Sequence, residues 1–125
     1  MERYVLVAVG AALGGLARYI LGTAIAQSLG LRFPIGTLVV NVTGCFVIGI
    51  LMTLITARAM NPRWQPLLVV GVLGGYTTFS SFGWETFQAI REGNPLMGLA
   101  YVALSVTLGY LAVWCGAVIA QRGIL

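Results

Sequence analysis

The sequence predicts an all-α membrane protein with four transmembrane helices, the third of which is broken near its middle. The composition is 59% hydrophobic and only 8% charged, and the mean hydropathy is +0.97. These values exclude an ordinary soluble domain. Polar turns divide the chain into four apolar segments, each about 20 residues long, the length that crosses a bilayer. The middle of the third segment consists of residues that form helices poorly.

The four crossings fit within a single domain, residues 1–125, at residues 4–26, 35–56, 67–90 and 96–120. A short loop ending in Pro34 separates the first two crossings. The second connection is punctuated by Pro62 and Pro66, and the third is a compact turn that ends at Pro95. Proline-marked turns between apolar runs of this length predict short loops between membrane helices.

The break in the third crossing combines Gly74-Gly75 with Thr77-Thr78. Adjacent glycines and β-branched threonines weaken a helix at a depth where lipid cannot bond loose backbone groups. The first half is predicted to end near Gly74, with carbonyls that suit a cation. The second half is predicted to start after Thr77, with amides that suit an anion. Broken helices at this depth indicate ion handling, and the spacing leaves open which end is used.

Composition also argues against catalysis. The chain has no histidine and only three acidic residues, Glu2, Glu85 and Glu92. Almost no side chains are therefore available for general acid–base catalysis or for a metal site. We predict that the protein is not an enzyme. The formal charge of +4 favours anions, although arginines that merely anchor loops would give the same balance. We expect no nucleic-acid partner.

Two polar residues lie inside the first two crossings. Arg18 has no acid in its own segment, so it either faces water, a partner or an anion path, or extends to the interface. Asn41 must hydrogen-bond inside the bundle, and its amide either joins helices or donates to a small anion. Both alternatives remain open for each residue.

Aromatic and hydroxyl groups follow the break and recur in the fourth crossing. Phe79 and Phe82 share a helix face, and their positive ring edges could contact an anion, although core packing is the commoner role of such a pair. Ser80 adds a hydroxyl donor beside them. Tyr101 and Ser105 share a face and could extend a polar track, unless their hydroxyls bond the backbone.

Four crossings place both termini and the second loop on one side of the membrane. That side carries four arginines against two on the other, a weak orientation bias that is compatible with insertion in both directions. A chain of this size has too little surface to enclose a pore alone, so we predict a dimer. Gly10-x-x-x-Gly14 and Gly71-x-x-x-Gly75 either form its contact faces or pack within one subunit.

Three motifs point to a known family: Gly14-Gly15-x-x-Arg18-Tyr19, Gly36-Thr37-x-x-Val40-Asn41-x-x-Gly44, and Gly71-x-x-Gly74-Gly75-x-Thr77-Thr78-Phe79-Ser80-Ser81-Phe82. With these motifs, the chain resembles the Fluc (CrcB-type) fluoride channels over nearly its full length. The resemblance implies an antiparallel, dual-topology homodimer in the bacterial inner membrane, with two pores that passively export fluoride from the cytoplasm.

The resemblance also implies a structural sodium ion, held by the backbone carbonyls of Gly74 and Thr77 from both subunits. It places Phe79 and Phe82 in an aromatic box. The other implied pore residues are Asn41, Ser80, Ser105, Tyr101 and, toward an aqueous vestibule, Arg18. The chain departs from the family pattern at Gly109 and Val113, where other members carry hydroxyls, so its polar track is expected to be shorter.

Two other functions fit a small four-helix membrane protein. A proton-coupled exporter resembling the small multidrug transporters would need a carboxylate in the first crossing, and residues 5–26 contain none. A membrane assembly subunit without transport of its own would need no pore lining. The fluoride-channel interpretation accounts for the motifs, and these two remain the alternatives.

Overall fold

The computed structural model describes residues 1–124, and over that range the chain is helical, with no strand. Its elements in chain order are α1 (Glu2–Leu29), α2 (Ile35–Thr56), a 3-10 turn (Pro62–Trp64), a π-helix (Pro66–Leu73), α3 (Gly74–Tyr76), α4 (Phe79–Arg91) and α5 (Pro95–Ile124). Four segments are long and apolar enough to cross a membrane: α1, α2, the third span Pro62–Arg91, and α5. The predicted all-α architecture with a bent third helix is confirmed.

Glycine, proline and asparagine set the helix ends. α1 stops at Gly30, whose left-handed backbone (φ 58°) lets its amide bond the Ala26 carbonyl at 3.1 Å. The Asn61 side chain accepts a hydrogen bond from the Arg63 amide at 3.0 Å and starts the third span. Asn94 accepts from the Met97 amide at 3.3 Å at the start of α5.

The helices pack as two parallel pairs, the first span with the third and the second with the fourth. In the first pair, Gly10 lies against Gly71, so that an added Cβ would stand 2.8 Å from the Gly71 Cα. In the second, a Cβ at Gly49 would lie 3.0 Å from the Val113 carbonyl carbon. Such approaches exclude any side chain larger than glycine and allow backbone-to-backbone packing.

The two glycine motifs therefore contact each other inside one chain. A Cβ at Gly75 would lie 2.5 Å from the Ala11 carbonyl oxygen, and one at Gly14 would lie 2.9 Å from the Tyr76 amide. The suggestion that these faces join two subunits is wrong, and packing within one subunit is the role that the structure shows. The reason is that the first and third spans already cover these faces.

The first half of the third span ends two residues later than predicted, and the second half begins one residue later. Gly74 is helical (φ −62°, ψ −35°) and α3 continues to Tyr76, whereas Thr77 (ψ 156°) and Thr78 (ψ 116°) are extended before α4 begins. Glycine serves here as a packing surface rather than as the helix breaker. The threonines form the break because β-branched residues favour extended backbone.

The neighbouring glycines of α1 test this packing. Gly14→Ala should lower the free energy of unfolding by about 1–3 kcal/mol, because the new methyl group meets backbone that has nowhere to move. Gly15→Ala is the matched control, since nothing lies within 4 Å of its added Cβ, and helix propensity should stabilise it by up to about 1 kcal/mol. Thermal unfolding in detergent measures both, and equal effects of the two changes would contradict the packing.

Candidate functional site

Two cavities adjoin the break, and Thr78 lines both of them. The aromatic cavity has a volume of about 380 Å³, and its lining includes Asn41, Cys45, Leu73, Gly74, Thr77, Thr78, Phe79, Phe82 and Ser105. The arginine cavity has a volume of about 470 Å³, and its lining includes Arg18, Tyr19, Gly22, Thr37, Thr78, Ser81 and Glu85. Both cavities therefore border the break at Thr78.

Most of the predicted site residues line one of these cavities. The aromatic cavity brings together Phe79, Phe82, Asn41 and Ser105, together with the two predicted sodium-binding positions. Arg18 lines the other cavity. Ser80 and Tyr101 are absent from both linings but contact residues that belong to them. The second, third and fourth spans thus all contribute to the aromatic cavity.

The aromatic residues form a chain of ring contacts that leads inward from the surface. The ring centroids of Phe79 and Phe82 lie 5.5 Å apart, those of Phe82 and Tyr101 lie 5.2 Å apart, and Phe33 meets Tyr101 edge-on at 5.5 Å. Tyr101 is 1% exposed and Phe79 is 84% exposed. Phe82 is therefore packed against one buried ring, that of Tyr101, whereas most of the Phe79 side chain is exposed on the surface of the single chain.

The Asn41 side chain hydrogen-bonds both the carbonyl and the amide of one residue in the break, Thr78. Its Nδ2 donates to the Thr78 carbonyl at 3.0 Å, and its Oδ1 accepts from the Thr78 amide at 2.8 Å. The side chain thereby replaces helix bonds that the extended threonines cannot make. Because a carboxamide carries two N–H groups, one donor of Asn41 remains for another acceptor in the cavity.

Thr78 also caps the helix that follows. Its Oγ1 accepts from the Ser81 amide at 3.1 Å and lies 3.3 Å from the Ser80 hydroxyl. This is a helix N-cap, in which a threonine oxygen bonds one of the free amides of the first turn. Local hydroxyls therefore fix the direction in which α4 leaves the break and presents its two phenylalanines.

The same bonds free two carbonyls. In an unbroken helix the Thr78 amide would bond the Gly74 carbonyl, and the Ser81 amide would bond the Thr77 carbonyl. Both amides are instead held by side chains, the first by Asn41 and the second by Thr78. The Gly74 and Thr77 carbonyls thus lose their helical partners. Within residues 1–124 no cluster of three His, Cys, Asp or Glu residues could hold a metal ion.

Arg18 reaches from the first span to the first half of the third span. Its Nε donates to the Gly75 carbonyl at 3.1 Å, and its side chain lines the arginine cavity together with Glu85. The close approach of the two spans brings the guanidinium within reach. Arg18 thus has a partner in the protein backbone and also borders the arginine cavity.

Glu85 joins three spans, a role that the sequence analysis did not assign. The Thr37 hydroxyl donates to its Oε1 at 2.7 Å, and the Tyr101 hydroxyl donates to its Oε2 at 2.8 Å. Both carboxylate oxygens are therefore paired inside the bundle. The sequence did contain a sign of this role, because Glu85 is the one acidic residue in the four predicted crossings. A charged group at that depth needs hydrogen-bond partners.

Removal of one hydroxyl tests this network. Tyr101→Phe should lower the free energy of unfolding by about 1–3 kcal/mol, because a carboxylate oxygen at a partly buried position loses its donor. Tyr110→Phe is the matched control, since Tyr110 is 72% exposed, and its effect should stay within about 0.5 kcal/mol. Unfolding in detergent measures both variants. Equal stabilities would show that the Glu85 contact contributes nothing.

Comparison with known proteins identifies the family of this chain. Residues 5–117 match the family described as CrcB-like protein, Camphor Resistance (CrcB). A fluoride-specific ion channel FluC of Solibacter usitatus is 62% identical over 121 residues, which cover 96% of this chain and 99% of that protein. FluC of Acidobacterium capsulatum is 46% identical over 121 residues, with coverage of 96% and 97%. FluC of Rhizobium meliloti is 44% identical over 117 residues, with coverage of 93% and 94%.

These relatives are named as ion channels, so the prediction that the chain is not an enzyme is confirmed. The four apolar spans and this kinship identify a multi-pass membrane protein. The chain belongs to the CrcB-like family of fluoride-specific ion channels.

Proposed function

We propose that this protein is a fluoride-selective channel through which fluoride leaves the cytoplasm passively, down its own gradient. The observation that carries the proposal is the aromatic cavity, where Phe79 and Phe82 lie beside Asn41 and Ser105 at the break in the third span. Ring edges, an amide and a hydroxyl all present positive hydrogen atoms to an anion. Because relatives of this chain are named fluoride-specific ion channels, we infer that the anion is fluoride.

Fluoride is small and strongly hydrated, so a narrow path must replace its water with several donors that do not trap it. The free N–H of Asn41 and the hydroxyls of Ser80 and Ser105 are such donors. Phe82 is braced by the ring of buried Tyr101, and the Tyr101 hydroxyl bonds Glu85. Arg18 would add a positive potential at the arginine cavity, which would attract anions toward its opening.

The exposed side of the aromatic cavity supports the proposal of an antiparallel homodimer. Phe79, which lines that cavity, is 84% exposed in one chain, and lipid cannot solvate an anion path. A second copy would cover this face, and two copies would form two pores. The weak arginine bias is compatible with insertion in both orientations in the bacterial inner membrane. Labelling of an introduced cysteine from either side of the membrane tests that arrangement.

A structural sodium ion fits the backbone at the break. The Gly74 and Thr77 carbonyls have lost the amides that would bond them in an unbroken helix, because Asn41 and Thr78 hold those amides. Carbonyl oxygens are suitable ligands for a hard monovalent cation. Two oxygens from each subunit of a dimer would supply four ligands. Bound there, the ion would be coordinated by these carbonyl oxygens and would link the subunits.

The aromatic lining predicts a specific loss of transport. Phe79→Ile and Phe82→Ile should each lower fluoride efflux from proteoliposomes by about tenfold or more, because isoleucine has no positive ring edge. Phe87→Ile is the matched control, since Phe87 lies on the same helix outside the aromatic cavity and pairs with Trp84 at 5.6 Å. Fluoride-electrode recordings and parallel chloride-efflux measurements provide the test.

Normal fluoride efflux from both pore variants would remove the rings from the mechanism. Chloride efflux equal to that of fluoride from the unaltered protein would remove the selectivity. Efflux that requires a pH gradient would favour an exporter over a channel. No ion flux from the purified protein would favour an assembly subunit.

The proposed sodium site predicts that stability depends on sodium concentration. In a detergent buffer without fluoride, replacement of Na⁺ by N-methylglucamine at constant ionic strength should lower the unfolding midpoint and dissociate the dimer. Sodium at one hundred times its dissociation constant would restore about 2.7 kcal/mol. A midpoint and dimer population that are independent of Na⁺ would contradict the site while leaving the proposed fluoride path untouched.

A further inference from the structure

The parallel packing of the first and third spans brings two arginines to the same end of the bundle. Gly10 lies against Gly71, and both helices run in the same direction from that contact. Arg3 precedes Gly10 by seven residues, or about two helical turns. The residues just before Pro66 precede Gly71 by a similar distance, so Arg3 lies level with Arg63. The glycine contact therefore brings both residues to the wall of one cavity.

The two arginines line a cavity separate from the break. This interfacial cavity has a volume of about 380 Å³, and its lining consists of Arg3, Pro62, Arg63, Gln65, Pro66 and Val70. None of these lining residues is acidic, and Glu2, the acid nearest in sequence, is not among them. The interfacial cavity also shares no lining residue with the aromatic or arginine cavities. Two positive side chains thus face one space without a counter-charge in its walls.

The turn that carries Arg63 is held in place. Asn61 Oδ1 accepts from the Arg63 amide at 3.0 Å, and the Asn61 carbonyl accepts from the Trp64 amide at 3.1 Å. Pro62 and Pro66 fix two more backbone angles on either side. The loop is therefore ordered before a ligand binds. Binding loses little conformational entropy in this loop, which favours affinity.

The lining matches a phosphate group at the membrane surface. Two guanidinium groups near each other repel, and an anion between them relieves that repulsion. A planar guanidinium forms paired hydrogen bonds with phosphate, and the Gln65 amide can donate another. Trp64, 47% exposed, marks the depth of the lipid headgroups, and Val70, 53% exposed, continues the cavity wall toward the acyl chains.

We propose that the interfacial cavity binds the phosphate headgroup of an anionic phospholipid, with the guanidinium groups of Arg3 and Arg63 on the phosphate oxygens. The acyl chains would extend along the apolar side of the third span past Val70. Free phosphate would make the same contacts with the two guanidinium groups but has no acyl chains to pack against the third span. The lipid should therefore bind more tightly than phosphate or glycerol phosphate.

Native mass spectrometry of the purified protein in a neutral detergent tests the proposal, with phosphatidylglycerol as the probe and glycerol 3-phosphate and inorganic phosphate as head-only competitors. The double variant Arg3→Gln/Arg63→Gln should bind phosphatidylglycerol about tenfold or more weakly than the unaltered protein, a factor that corresponds to about 1.4 kcal/mol. Arg58→Gln/Arg122→Gln is the matched control, because it removes two charges from the same face outside the cavity. Its affinity should stay within about twofold.

Equal affinity in all three proteins, or equal loss in both double variants, would overturn the proposal, the latter because it would show an effect of net charge alone. Competition by glycerol 3-phosphate or inorganic phosphate at the concentration of the lipid would overturn the lipid as the source of the phosphate. Circular dichroism and fluoride efflux confirm folding of each variant. If the double variant does not fold, Arg3→Gln compared with Arg122→Gln gives the same contrast.

Discussion

The pair of hydrogen bonds between Asn41 and the backbone of Thr78 is the interaction on which the rest of the structure depends. A bilayer offers no water to a broken helix, so each backbone group released by the break needs a partner from the protein. One carboxamide supplies a donor and an acceptor to the same residue. These two hydrogen bonds stabilise the extended backbone of the threonines. The Thr78 hydroxyl then caps the N-terminus of α4, which begins at Phe79.

Backbone contact through glycine gives the bundle its second constraint. The first and third spans approach so closely at Gly10 and Gly71 that any side chain would clash. This proximity brings Arg18 within 3.1 Å of the Gly75 carbonyl and places Arg3 in the interfacial cavity. One packing contact therefore positions two basic sites at different depths of the membrane.

The two phenylalanines at the break are held very differently. Phe82 leans on Tyr101, which is buried, bonded to Glu85 and packed against Phe33. Phe79 is largely exposed in one chain. A cavity with one fixed ring and one outward-facing ring is incomplete without something beside it. This asymmetry links the ion path to whatever lies against the chain, which we propose is a second copy.

The sequence by itself determined the number of spans and the presence of a break, because apolar length and weak helix formers act locally. It also identified Asn41 and Arg18 as groups that need partners, because a polar group in lipid cannot stay unpaired. Only the tertiary structure decided which partners they have. It showed that the glycines pack spans together while the threonines make the break, that Glu85 joins three spans, and that Arg3 and Arg63 line one cavity. Those outcomes depend on the register between helices distant in sequence, which is set by backbone contact at a few glycines and which no local pattern encodes.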